Sequence, residues 1–116
     1  MSRRSSVSQK DVVLIPFPFS DLRQAKFRPA IVMSNDHYNR RFHDFIAIPL
    51  TSNPNTRDHT VVVTSKEMAT GSLPMDSVAK VDKVFSLERK LIVRTFGQIR
   101  QDVFDNIKTE LIKLIS

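Results

Sequence analysis

The apolar residues of this chain occur in short runs, and this shortness limits the fold more than any other feature. The runs are rich in β-branched and aromatic residues, as in DVVLIPFPF (11–19) and HTVVVTS (59–65), a composition typical of strands. Segments rich in Asn, Asp, Ser and Pro separate them, as in TSNPNTRD (51–58), which is the composition of loops. The pattern therefore predicts many short strands joined by loops.

Further segments are predicted as strands on the same grounds. They are 29–34, 44–50, 77–87 and, as one or two short strands, 90–99. Residues 35–43 and 66–76 are predicted to be connections, the second with one helical turn closed by Gly71. Because side chains two residues apart on a strand share a face, we expect Lys80 and Asp82 to project together.

The C-terminal segment has the spacing of a helix rather than of a strand. Apolar residues recur three and four positions apart in DVFDNIKTELIKLIS (102–116), so they share one face of a helix. Asp102 suits the positive N-terminal end of the helix dipole, and Lys113 suits the negative C-terminal end. A helix over residues 102–115 is therefore predicted to close the domain.

The order of these elements indicates a mainly β protein with a C-terminal helix. Strands follow one another without the alternation of strand and helix that a parallel sheet requires, so we predict a small antiparallel barrel. A chain of 116 residues can bury one core without covalent staples, and we assign residues 10–116 to a single domain. Residues 1–9 are rich in Ser and Arg, and we predict a basic disordered tail there.

The composition excludes several classes of site. The chain has no cysteine, which excludes disulfides, thiolate metal sites and cysteine nucleophiles. It has no glycine-rich phosphate-binding motif and no paired histidines at metal spacing, so we predict no cofactor and no metal. Because no apolar run is long enough for a membrane span or a signal sequence, we expect a soluble, cytoplasmic protein.

The charge of the chain points to an anionic partner. Lysine and arginine outnumber aspartate and glutamate by 18 to 12, which gives a net charge of +6 and a pI of about 10.1. A surface of this sign attracts polyanions and acidic proteins. A nucleic acid or an acidic protein is therefore the expected partner.

Several segments resemble, in order, those of the PemK/MazF-like toxins. They are PFPFSDL (16–22), RPAIVMSN (28–35), IPLTS (48–52) and LPMDSVAKVD (73–82). The combination of RPAIV with a later PLTS is the most specific part. The resemblance implies an SH3-like barrel that forms a homodimer. It also implies a metal-independent endoribonuclease that cleaves single-stranded RNA and pairs with a cognate acidic antitoxin.

Three residues in these segments are the candidate catalytic residues. Arg28, on a strand start stiffened by Pro29, can form parallel hydrogen bonds to a phosphate and stabilise charge that develops there. The hydroxyl of Thr51 can reach the same groove. Asp82 can act on the ribose hydroxyl, which then attacks the adjacent phosphate to leave a 2′,3′-cyclic phosphate and a 5′-hydroxyl. Alternatively, Arg28 forms a surface salt bridge with Asp21 or Asp82.

A second set of residues is predicted to bind RNA. Aromatic side chains stack on splayed bases, lysines face phosphates, and a serine hydroxyl can donate to a phosphate oxygen. The set consists of Phe17, Phe19, Lys26, Phe27, Ser52 and Lys80. The other interpretations of these residues are that a phenylalanine belongs to the core and that the Thr-Ser pair only starts a turn.

Two other functions remain open at this level. One is a noncatalytic toxin on the same barrel, like the gyrase-poisoning relatives of this fold, which would contact its target through the C-terminal helix. The other is a plain nucleic-acid-binding module that uses its charge alone. A fold does not separate these functions from RNA cleavage.

Overall fold

A computed structural model describes residues 6–17, 26–53 and 58–116, with only the backbone described at Phe17. The strands of this part of the chain are β1 (Asp11–Phe17), β2 (Lys26–Val32), β3 (Asp44–Thr51), β4 (Thr60–Val63), β5 (Met68–Gly71), β6 (Ser77–Lys80), β7 (Phe85–Glu88) and β8 (Arg94–Ile99). The helices are α1 (Asp36–Arg41) and α2 (Gln101–Ile115), and single 3-10 turns cover Ser65–Glu67 and Arg89–Leu91.

These strands form an antiparallel half-barrel closed by the C-terminal helix, as the sequence predicts. The sheet order is β4-β6-β3-β2-β1-β8-β5, and β7 lies beside β3. Every pairing between these strands is antiparallel. In the described ranges no helix is both long and apolar enough to cross a bilayer.

The central strands are apolar on both faces because each face covers its own core. Consecutive residues of a strand point to opposite sides, so Ile31 lies in the core under α2 while Val32 lies in the second core. Val12 and Val13 divide in the same way. Runs such as AIV therefore show no alternation of apolar and polar residues.

Helix α2 covers the first core through residues that share one face. Val103, Phe104 and Ile107 are buried against the sheet, which is the face that the sequence spacing predicts. The helix begins at Gln101, one residue before the predicted start. The buried face of the helix does not extend to the last apolar residue of the pattern, because Ile115 is 73% exposed.

Two of the predicted connections contain regular structure. Residues 35–43 include α1, whose first turn is capped by the Asn35 side chain, which accepts a hydrogen bond from the Tyr38 amide. Residues 66–76 include β5, and Gly71 ends this strand instead of closing a helical turn. Residues 18–19 of the first predicted strand and 54–57 of a predicted loop lie outside the described residues.

The N-terminal segment packs on the domain from residue 7 onward. Val7 is buried in the second core, and the Gln9 side-chain amide donates to the Met33 carbonyl at 2.9 Å. The expectation of a disordered tail over residues 1–9 is therefore wrong for residues 7–9, because Val7 gains burial there. Residues 1–5 lie outside the described part of the chain.

Candidate active site

The candidate site lies where β2 and β3 stop pairing. The ladder between them ends at the pair Ala30 and Pro49. The residue of β2 that precedes Ala30 is Pro29, which has no amide hydrogen to donate. Beyond this point β3 pairs with β6 instead, from Leu50 opposite Ala79. The end of β3 therefore pairs on one edge only, and a groove borders its other edge.

The register at this point puts Arg28 across from Thr51. Ala30 pairs with Pro49, and Arg28 precedes Ala30 by as many residues as Thr51 follows Pro49. Residues opposite each other in an antiparallel register share a face of the sheet. Both side chains line the same groove, which has a volume of about 340 Å³. We call it the Arg28 groove.

Arg28 lies inside β2, not at its start. The strand begins at Lys26, and Arg28 pairs with Ile15 of β1. The predicted start at Pro29 is therefore wrong, because β1 supplies a partner for the residues before the proline. Arg28 precedes Pro29 and lies in the part of β2 that no longer pairs with β3. Its side chain is therefore half-buried and lines the groove.

The Arg28 groove is cationic. Lys80 and Lys83 line it together with Arg28, and no carboxylate lines it among the residues that the structure describes. Lys80 reaches the groove because Val78 pairs with Thr51, so that Lys80 follows two residues later on the same face. Lys83 could not be assigned to the groove from local sequence, since only the turn after β6 brings it there.

The Thr51 hydroxyl takes part in a local turn and can also serve a ligand. Its oxygen accepts a hydrogen bond from the Asn53 amide at 3.1 Å. This is the turn that the Thr51-Ser52 pair is alternatively predicted to start. Because a hydroxyl also donates, the same group can donate to a phosphate oxygen in the groove. The two interpretations of Thr51 are therefore compatible.

The expectation that Asp82 and Lys80 share a strand face is wrong. β6 ends at Lys80, and a turn follows in which the Lys83 amide donates to the Lys80 carbonyl at 3.0 Å. The predicted strand over 77–87 is thus two strands, β6 and β7, and the alternation fails between them. The Asp82 side chain is 19% exposed, lies 3.8 Å from the Lys83 ammonium, and is not among the described residues that line the groove.

The remaining candidates for RNA binding lie around β2. Lys26 and Phe27 are exposed at its start, and Phe27 points to the opposite face from Arg28. Ser52 follows β3 and is exposed. Only the backbone of Phe17 is described, paired with Lys26, and Phe19 lies outside the described residues.

A second pocket, of about 230 Å³, shares Arg28 and Leu50 with the Arg28 groove. We call it the apolar pocket; its other lining residues include Leu14, Phe27, Pro29, Ser52, Met75, Ser77 and Phe96. Met75, Ser77 and Phe96 could not be predicted as neighbours of Arg28, because no local feature of the sequence relates them to it.

In the described ranges no cluster of His, Asp and Glu side chains is suited to hold a metal ion.

The chain matches one family along nearly its whole length. A sequence model of the PemK-like, MazF-like toxins of type II toxin-antitoxin systems matches residues 8–115. No curated protein is significantly similar to the chain in sequence.

Solved structures with the same fold include proteins from Deinococcus radiodurans and from Mycobacterial species. MazE-MazF (Form-III) from Deinococcus radiodurans has a TM-score of 0.77 at 20% identity, over 95% of this chain and 96% of that chain. MazF (Form-I) from the same organism has a TM-score of 0.75 at 23% identity over the same shares. An endoribonuclease in complex with its cognate antitoxin from Mycobacterial species has a TM-score of 0.74 at 18% identity, over 94% of each chain.

Proposed function

The chain belongs to the PemK-like, MazF-like toxins of type II toxin-antitoxin systems, and we propose that it is a metal-independent endoribonuclease that cleaves single-stranded RNA. It acts as a homodimer in the cytoplasm. The observation that carries the proposal is the register that sets Arg28 opposite Thr51 in a groove lined by two further cations. A groove of this charge suits the phosphates of RNA.

The reaction needs no nucleophile from the protein. The ribose 2′-oxygen bonds to the adjacent phosphorus while the bond from phosphorus to the 5′-oxygen breaks. The 2′-hydroxyl loses its proton and the leaving 5′-oxygen gains one, so the products are a 2′,3′-cyclic phosphate and a 5′-hydroxyl. Arg28 donates hydrogen bonds to the non-bridging oxygens, Thr51 donates another, and Lys80 and Lys83 balance neighbouring phosphates.

Incubation of purified protein with a long single-stranded RNA in excess EDTA tests the activity. We expect discrete cuts whose upstream fragments end in a 2′,3′-cyclic phosphate, because the RNA supplies its own nucleophile and no metal takes part. Single-stranded DNA of the same sequence, which lacks the 2′-hydroxyl, should stay intact. RNA that stays intact under these conditions contradicts the proposal and favours a noncatalytic toxin or a plain binding module.

We further propose that an acidic antitoxin segment neutralises the protein by covering the Arg28 groove. Charges of opposite sign steer such a segment to a surface of +6 net charge. Binding measured by calorimetry should weaken roughly tenfold or more between about 50 mM and about 300 mM salt, because salt screens exposed charges. A complex in which Arg28 and Thr51 stay accessible to solvent would rule out direct occlusion.

A further inference from the structure

The apolar pocket lies on the other face of β2 from the Arg28 groove. Phe27 and Pro29 flank Arg28 in sequence and therefore point away from its face. Leu14 lies beside them because it pairs with Pro29 on one side and with Arg94 of β8 on the other. The pocket and the groove thus border one arginine from its two sides.

The pocket exposes large apolar side chains that are usually buried. Phe27 is 57% exposed and Met75 is 62% exposed, although both line the same small concavity. Phe96, which is partly buried against the core under α2, also lines the pocket and has the Arg94 guanidinium 5.0 Å from its ring centroid. Aromatic rings with a cation beside them provide flat surfaces on which nucleobases stack.

The pocket also offers hydrogen-bonding groups to a planar ligand. Ser52 and Ser77, each with a hydroxyl group, are among its lining residues. Ser77 is only 7% exposed, and its hydroxyl donates to the Met75 carbonyl at 3.0 Å. Because that bond uses the hydroxyl hydrogen, the Ser77 oxygen can interact with a ligand as an acceptor. An amino or imino group at the edge of a base is a matching donor.

We propose that the apolar pocket binds one unpaired nucleobase of the strand whose phosphate lies on Arg28. The inference rests on the proposed function in one respect, since it takes the ligand of the Arg28 groove to be a nucleic-acid phosphate. The base leaves the strand next to that phosphate, stacks against Phe27 and Phe96, and presents its edge to Ser77. The pocket would then set which nucleotide lies beside the cleaved bond.

Short uncleavable strands test the pocket without relying on catalysis. The probes are hexamers of deoxyadenosine, deoxycytidine and thymidine, and an abasic hexamer with the same phosphates. Protein labelled with ¹³C at its methionine methyl groups reports on the pocket through Met75, whose signal is identified by its loss in Met75→Leu. We expect at least one base-bearing hexamer to bind about tenfold tighter than the abasic hexamer and to shift the Met75 signal by ring current, while buried Met68 stays unchanged.

Two phenylalanine variants separate the pocket from a general effect. Phe27→Leu should bring the preference for bases over the abasic hexamer to about twofold or less, because one stacking surface is lost. Phe42→Leu is the matched control, since Phe42 is 45% exposed and has the Arg41 guanidinium 5.7 Å from its ring, but it does not line the pocket. It should keep the preference of the parent.

Several outcomes would overturn the inference. These are equal binding of the abasic hexamer, a Met75 signal that no hexamer moves, and equal losses in Phe27→Leu and Phe42→Leu. An acidic peptide with apolar side chains that shifts Met75 when the hexamers do not would make the pocket a protein-binding site instead. Because the hexamers cannot be cleaved, a base preference without any RNA cleavage would support the pocket and reject the ribonuclease, and the reverse result would reject the pocket alone.

Discussion

Replacing Arg28 by alanine should slow single-turnover cleavage of RNA by about a hundredfold or more, on the order of 3 kcal/mol. The side chain forms charge-assisted hydrogen bonds to a phosphate that gains charge in the transition state. Stability should change by roughly 1 kcal/mol or less, because Arg28 pairs with Ile15 through its backbone and its side chain is only half-buried. Cleavage rates, RNA affinity and melting temperature are measured beside the parent.

Three companion variants make this result specific. Arg28→Lys should recover only part of the rate, because an ammonium keeps the charge and loses the planar pair of donors. Thr51→Val should slow cleavage by about fivefold, since it removes one neutral hydrogen bond. Asp82→Asn should have less effect than Arg28→Ala, because Asp82 does not line the groove. Cleavage by Arg28→Ala at the parental rate would reject the site, and unfolding of this variant would make Arg28 structural.

Gly97→Ala should strongly destabilise the protein. Gly97 lies opposite Gly71 in the pairing of β5 with β8. It has a φ of +147°, which favours glycine, and a Cβ there would lie 2.1 Å from the Thr70 carbonyl oxygen. Because backbone atoms cannot rotate away, we expect the free energy of unfolding to fall by roughly 3 kcal/mol or more.

Denaturant unfolding followed by circular dichroism measures this loss. Thr95→Ala is the matched control, since it introduces the same side chain at an exposed position of β8. It should stay within about 1 kcal/mol of the parent. Gly71→Ala should behave like Gly97→Ala, because its Cβ would meet the Phe96 carbonyl oxygen at 1.9 Å. A Gly97→Ala protein as stable as Thr95→Ala would contradict this account of the two glycines.

Features of this protein that depend on neighbouring residues can be predicted from its sequence. Runs of β-branched residues predict the strands, and helical spacing predicts α2 with its buried residues Val103, Phe104 and Ile107. The composition predicts the basic charge. It also supplied the guanidinium of Arg28 and the hydroxyl of Thr51 as candidate groups. These features can be predicted because propensity, periodicity and side-chain chemistry act over a few residues.

Which of these groups lie close together depends on the tertiary structure. Backbone hydrogen bonds are alike at every residue, so the register of two distant strands depends on how all side chains pack on both faces. The register of β2 and β3 sets Arg28 opposite Thr51. The packing of the other strands brings Met75 and Phe96 to the pocket beside Phe27. The same packing divides the predicted strand over 77–87 by a turn, which moves Asp82 away from the face of Lys80. Local pattern could not predict either result, because both depend on contacts between residues far apart in the chain.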